Sequence, residues 1–346
     1  MKIQVLPCGH NHESINIAQQ LITMASPQLK DAGKLLLKVA VFTVIMFICD
    51  RLIGKKLDKK YDETHQGNID VIGHVIQNPT EDMFIYGPSL AVHGMRPDIF
   101  TDTLGYSCYN SGRESSQTQY AYLTMRWSLQ KHIPKLIVLI TSPKELQWRA
   151  SETPEKVLSS MLLPYVSRDT SFRNMTAELL PTETKLATIS KLYAYNSLIL
   201  PVIMHFGESK AKMEDIKNGY QPFYSSDLKS QTPPQYEYND PDMVKTTRQK
   251  FEALVKMVHD YNIPLFVVEA PLFVQKMPES KSEKEVQRVT EKYNVPFWTY
   301  VADTAFQKPE YFHDNVHMTD AGAAAFSKAV ASRIKQYLQQ NPISKN

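Results

Sequence analysis

The chain has 346 residues, 42% hydrophobic and 22% charged, with a formal net charge of +3. This length fits one large α/β domain with an insertion, or two small domains. The small charge and the lack of a basic–aromatic stripe argue against a nucleic-acid partner. Three cysteines, Cys8, Cys49 and Cys108, are too few for a disulfide framework.

At the N-terminus, CGHNH (Cys8, His10, His12) has no matching second pair of ligands. Residues 1–34 therefore read as a tail rather than a metal site, and no metal is expected anywhere in the chain. KLLLKVAVFTVIMFICDRLIGKK follows, with an uninterrupted apolar run from Val39 to Cys49. A spanning helix needs about 20 apolar residues. Residues 35–53 reach that length if Lys38 and Arg51 extend to opposite interfaces. No small-residue cleavage site follows, so the segment reads as an uncleaved membrane anchor rather than a removed signal peptide. The alternative is a buried helix in a cytosolic protein. Lysines flank both ends, so charge leaves the orientation open.

Residues 54–79 read as a polar linker. From about residue 80, short apolar runs alternate with helical patterns. MFIYG (83–87) and YSCYN (106–110) read as strands. SSQTQYAYLTMRWSLQKH has helical spacing, with Ser115 or Ser116 as its cap. LIVLIT (136–141) is a continuous apolar strand of the kind buried on both faces. The region 146–238, rich in proline and tyrosine, breaks the rhythm and reads as an insertion or cap. A helix with Pro241 in its first turn, a strand PLFVVEA (264–270), a charged helix near 279–293 and a strand VPFWTY (295–300) restore it. The last helix, from about Asp320 to Leu338, is capped by Thr319. Strands alternating with helices predict a parallel sheet covered on both faces, here over 80–340. Ligands bind such sheets beyond the carboxyl ends of the strands.

Two loops meet at that edge. Ser89 follows the first strand in YGPSLAVHG, and Asp314 and His317 lie in YFHDNVHMTDAG after the last. A serine hydroxyl attacks well only when an imidazole takes its proton. His317 is the candidate base, and Asp314 three residues earlier is placed to orient it. His93 and His313 lie nearby and read as solvated or packing histidines.

GPSL (87–90), YNSGRESSQT (109–118), LIVLITSPKEL (136–146) and D-N-V-H (314–317) resemble, in order, the first, second, third and last blocks of the SGNH, or GDSL-type, hydrolase superfamily. Pro88 replaces the aspartate of the first block, and the likeness covers about 80–146 and 240–338. The N-terminal anchor and Tyr-rich middle are similar to membrane-anchored bacterial members linked to surface polysaccharides. The resemblance implies a three-layer, flavodoxin-like parallel sheet, with Ser89 as nucleophile, His317 as general base and Asp314 as orienting acid. It implies no cofactor. It further implies a catalytic domain on the extracytoplasmic side of a bacterial inner membrane.

The oxyanion hole departs from the family pattern. The second-block glycine position falls on Ser115, whose backbone N–H survives the exchange. The third block has no asparagine, and losing one donor costs ~10²–10³ in rate unless another replaces it. Asn110 or Lys144 are the candidates for that replacement. Arg113, Glu269 and Tyr220 are candidate substrate contacts. Arg113 and Glu114 read equally as a solvated charge pair, and Glu269 as a helix cap. Trp127 and Trp148 are candidates for stacking on sugars, with Trp127 also readable as core. The expected function is hydrolysis or transfer of O-acyl, chiefly acetyl, esters on a carbohydrate or cell-envelope glycan. The alternative is a catalytically degenerate, membrane-tethered glycan-binding or assembly factor. Oligomeric state is not legible.

Overall fold

The computed structural model of the chain describes residues 11–63, 67–116, 118–147, 161–199, 217–235 and 239–341, with 11–30 and 67–68 as backbone only. Cys8, His10 and Trp148 lie outside the described residues, as does the side chain of His12. The chain divides into two units, Met1–Lys55 and Lys56–Asn346.

The described residues of the first unit, 11–55, are helical. They belong to α1 (Asn11–Asp62), so residues 11–34 continue the helix rather than forming a tail. Every side chain from Asp31 to Cys49 is exposed, Phe42 and Phe47 among them. The stretch Asp31–Asp62 is long and apolar enough to cross a membrane.

The second unit is built on a five-stranded sheet. Its strands are β1 (Met83–Tyr86), β2 (Cys108–Asn110), β3 (Leu136–Thr141), β4 (Leu265–Glu269) and β5 (Phe297–Thr299). All four pairings are parallel, and the spatial order is β2-β1-β3-β4-β5. That is the flavodoxin-like order, and its switch point lies at β1 and β3. The alternation along each strand divides the core. Met83 and Ile85 pack with Leu90, Phe100, Phe326 and Val330 on one face. Phe84 and Tyr86 pack with Met125, Phe251 and Val255 on the other. The first face is covered by α3 (Ser89–Gly94), α4 (Pro97–Leu104) and α10 (Asp320–Gln340). The second is covered by α2 (Gly67–Gln77), α5 (Thr118–Ser128), α8 (Lys245–Asp260) and α9 (Lys281–Lys292). In α10, Phe326, Val330 and Ile334 recur every four residues and are fully buried, each contributing roughly 1.5–3 kcal/mol.

Several expectations are revised. Residues 54–79 are not a linker. The end of α1 and all of α2 are helical, and Tyr61, Val71, Ile72 and Val75 are buried because their apolar spacing places them against the sheet and the insertion. Pro241 does not start a helix: Met243 bridges Gln147, and α8 begins only at Lys245. The insertion carries α6 (Thr170–Ala177) and α7 (Pro181–Ile189). Leu162, Tyr165, Phe172 and Tyr195 from this region close a separate core over Tyr61, Tyr120 and Trp127. Trp127 is accordingly core, its indole N–H donating to Ile76 O at 2.8 Å.

Candidate active site

The β1 strand ends in a turn that only glycine fits. Gly87 has φ +153°, and a Cβ there would stand 2.7 Å from Ile140 O on neighbouring β3. Pro88 then opens α3, so the half-buried Ser89 is its first residue, at the carboxyl edge of the sheet beside the switch point.

The Asp314–His317 segment reaches the same place. It is a bend closed by the Phe312–Met318 bridge, not a helical turn. Asp314 Oδ1 accepts the N–H groups of Val316 and His317, each at 2.7 Å. These two bonds fold the loop on itself, as short acidic side chains do in turns. The other carboxylate oxygen, Oδ2, lies 2.9 Å from His317 Nδ1, and His317 Nε2 lies 2.8 Å from Ser89 Oγ. Partial burial opposes ionisation of Asp314. The ring bond, the two backbone bonds and the imidazole charge outweigh it and hold the carboxyl well below its usual range. A carboxylate can only accept, so Nδ1 carries the proton and Nε2 is left to accept from the Ser89 hydroxyl.

The remaining candidates divide. Ser115 lies in the left-handed region at φ 53°, and its N–H makes no hydrogen bond among the described residues. Its turn is tied to the end of β1, because Arg113 N–H and Ser116 Oγ both donate to Gly87 O, at 3.0 and 3.4 Å. Ser116 is therefore not a helix cap. Asn110 is fully buried and its amide is spent. Nδ2 donates to Ala91 O and Met95 O at 2.7 and 2.8 Å, and Oδ1 accepts from Gly112 N–H. It fastens α3 to the sheet and leaves no donor for an oxyanion. Lys144 sits in a turn anchored by Ser280 Oγ–H to Pro143 O and by Gln147 N–H to its own carbonyl, on the α8–α9 side of the sheet.

Glu269 does not enter the site. It shares strand parity with Leu265 and Val267, so it points to the α8 face, opposite α3. It is fully buried, and neither carboxylate oxygen has a partner among the described residues. Burial, reinforced by Glu283 and Glu145, pushes its carboxyl up to about 8. Tyr220 is buried and its hydroxyl donates to Asp320 Oδ1 at 2.9 Å, so it braces the site from behind. Arg113 is also buried. Its guanidinium lies over the Tyr120 ring at 5.4 Å with Nε toward Met161 Sδ. The expectation of a solvated Arg113–Glu114 pair is not met, since Arg113 is buried and Glu114 reaches back to His93.

Of the segment from Asn218 to Asp227 the sequence pointed to Tyr220 as a substrate contact, but not to the way the segment packs over α3 and the His317 loop. Gly219, at φ +83°, approaches so closely that a Cβ would lie 1.9 Å from Asn110 O. Gln221 N–H donates to Val92 O, Asp320 N–H to Phe223 O, and Asp227 N–H to His313 O. Phe223 is stacked between His93 (4.1 Å) and His313 (4.0 Å). The adjacent Asn-Gly was the available signal, a pair that tolerates left-handed backbone. Among the described residues, no group of three or more His, Cys, Asp or Glu side chains forms a metal site.

Among solved structures, the chain is similar to a lipase/acylhydrolase from Enterococcus faecalis, at 10% identity and TM-score 0.37, covering 75% of this chain and 97% of that one. It is similar to the acetyl xylan esterase AlAXEase, at 11% identity and TM-score 0.36, covering 74% and 99%. A GDSL-like lipase from Bacteroides thetaiotaomicron VPI-5482 aligns at 13% identity and TM-score 0.33, covering 75% and 87%. No family model matches the chain. No curated protein matches it either.

Proposed function

We propose that this protein is a serine-dependent esterase or O-acyltransferase of the SGNH type, tethered to a membrane by α1. The observation that carries the reading is the continuous relay Ser89 Oγ–His317 Nε2–His317 Nδ1–Asp314 Oδ2, at 2.8 and 2.9 Å. These are the distances at which a base removes a hydroxyl proton as the oxygen attacks. Ser89 Oγ adds to the ester carbonyl while its proton passes to His317 Nε2. Asp314 steadies the resulting imidazolium. Collapse of the tetrahedral adduct breaks the ester C–O bond, and the leaving alcohol takes the proton back from His317. Water or a second hydroxyl, deprotonated by the same ring, then releases the acyl group from Ser89.

The N–H groups of Ser89 and Ser115 are the assigned oxyanion donors. With the Asn110 amide committed elsewhere, the hole rests on backbone groups. The rim of histidines, Glu114 and Phe223 suits a small acyl group on a polyhydroxyl alcohol, so acetyl esters of a glycan are the proposed substrate class. The full-length chain in detergent should turn over p-nitrophenyl acetate and be labelled by a fluorophosphonate. Ser89→Ala should lose both, and unchanged turnover in that variant would remove Ser89 from the chemistry.

A second reading, glycan binding without chemistry, is favoured by one observation. The Asn110 side-chain amide donates to Ala91 O and Met95 O and is not available to an oxyanion. It predicts no fluorophosphonate adduct in the wild type.

A further inference from the structure

The rim of the site holds a second imidazole that the relay does not use. His93 lies four residues after Ser89 on α3, the spacing that places two side chains on one helix face. Only 5% of its side chain is exposed. Nδ1 lies 2.8 Å from the Gln221 carbonyl, and Nε2 lies 3.0 Å from Glu114 Oε1. Carbonyl and carboxylate oxygens accept only, whereas a neutral imidazole has a single N–H. Both contacts are hydrogen bonds only when the ring carries two protons, so the geometry describes an imidazolium paired with the Glu114 carboxylate. The His93 bond, against partial burial and with support from the charges of His93, His317 and Arg113, holds the Glu114 carboxyl below its ordinary range.

This ring joins four parts of the site. It belongs to the helix that begins with Ser89. Through Glu114 it grips the turn that carries Ser115, and through Gln221 O it grips the Asn218–Asp227 segment. Its own face stacks on Phe223, whose other face covers His313. Its ring also meets the His317 ring in a T-shaped contact, with centroids 5.4 Å apart and planes at 83°. Glu114, 46% exposed at its side chain, has access to water as an alternative partner. The buried ring gives it a fixed one.

We propose that the His93–Glu114 ion pair is a positioning device: it clamps the Arg113–Ser116 turn to the Ser89 helix and so holds the Ser115 N–H over the reacting carbonyl. This rests on the reading of Ser89 as nucleophile. Neither residue touches the substrate's reacting atoms. The pair acts through the Ser115 peptide, beside the bonds that Arg113 N–H and Ser116 Oγ make to Gly87 O.

Two measurements on the full-length protein in detergent micelles test it. Histidine ring ¹⁵N shifts, with His93 assigned by its loss in His93→Gln, should show both nitrogens protonated at neutral pH. In Glu114→Gln one of them should lose its proton. A neutral His93 ring in the wild type would overturn the ion pair. On p-nitrophenyl acetate, Glu114→Gln should lower kcat up to ~10²-fold, the scale of a small misplacement of a catalytic group. KM should be unchanged, and the double variant His93→Gln/Glu114→Gln should be no slower than the slower single variant, as for residues acting as one unit. Unchanged kcat in Glu114→Gln, or multiplicative losses in the double variant, would overturn the positioning role. A wild type with no ester turnover would instead remove the reading of Ser89 as nucleophile, while the ring shifts would still decide the pair.

Discussion

Asp314 shows how much one short side chain does at this site. Its Oδ1 shapes the loop through two backbone N–H groups, and its Oδ2 fixes the tautomer of His317. Asp314→Asn keeps the first role and reverses the second. The amide N–H₂ faces Nδ1, so the proton moves to Nε2 and that nitrogen no longer accepts from Ser89. Turnover of p-nitrophenyl acetate should fall ~10⁴-fold, as for the equivalent change in a serine protease triad, with the folded content by circular dichroism unchanged. Because the folded carboxyl titrates below its ordinary range, it contributes stability that is present above that range. That stability is lost as pH falls through the lowered value. Glu269 has the opposite sign. Burial raises its carboxyl to about 8, so the folded state holds a proton that the unfolded state has released. Stability should therefore decline as pH rises from the ordinary glutamate range to about 8. Glu269→Gln should flatten that decline, read as a smaller difference in Tm between pH 5 and pH 9.

At the scale of elements, the site is a meeting of strand ends and helix starts. The Gly87 turn delivers Ser89 to the first position of α3, and Asn110 ties that helix down through Ala91 O and Met95 O. On the other side, Thr319 both ends the His317 loop and caps α10. Its hydroxyl oxygen accepts from Gly322 N–H at 3.3 Å, and its O–H donates to Glu310 O at 2.7 Å. Cap removal typically costs ~0.5–2 kcal/mol. Thr319→Ala should lower the unfolding free energy by that amount, read as a lower urea midpoint at unchanged slope. It should also slow turnover, because His317 lies only two residues before the cap. A variant with unaltered midpoint would show that the packing of Phe326 and Val330 alone fixes the start of α10.

At the scale of the molecule, the two units call for different solvents. The second unit buries its apolar side chains on both faces of the sheet. The first leaves a continuous apolar surface exposed over Val39–Cys49. Water disfavours such a surface, and the Asp31–Asp62 stretch that carries it is long and apolar enough to cross a bilayer core. The full-length protein should remain in the membrane pellet after a carbonate wash and leave it only with detergent. Recovery in the soluble fraction would exclude the anchor. The sequence by itself determined the strands and their order along the chain, because LIVLIT and LFVVE are apolar runs with no other stable environment. It also singled out Ser89, Asp314 and His317, since a glycine turn, a serine and an Asp-x-x-His pair are local patterns. It could not determine which partners were already taken. Asn110 looked like a free amide and is fully bonded. Glu269 looked like a working-edge acid and faces the wrong side. His93 looked like a lone histidine and joins four segments. Hydrogen-bond commitment and facing depend on residues far away in the chain, such as Gln221 and Ala91, that only the closed sheet brings within about 3 Å of their partners.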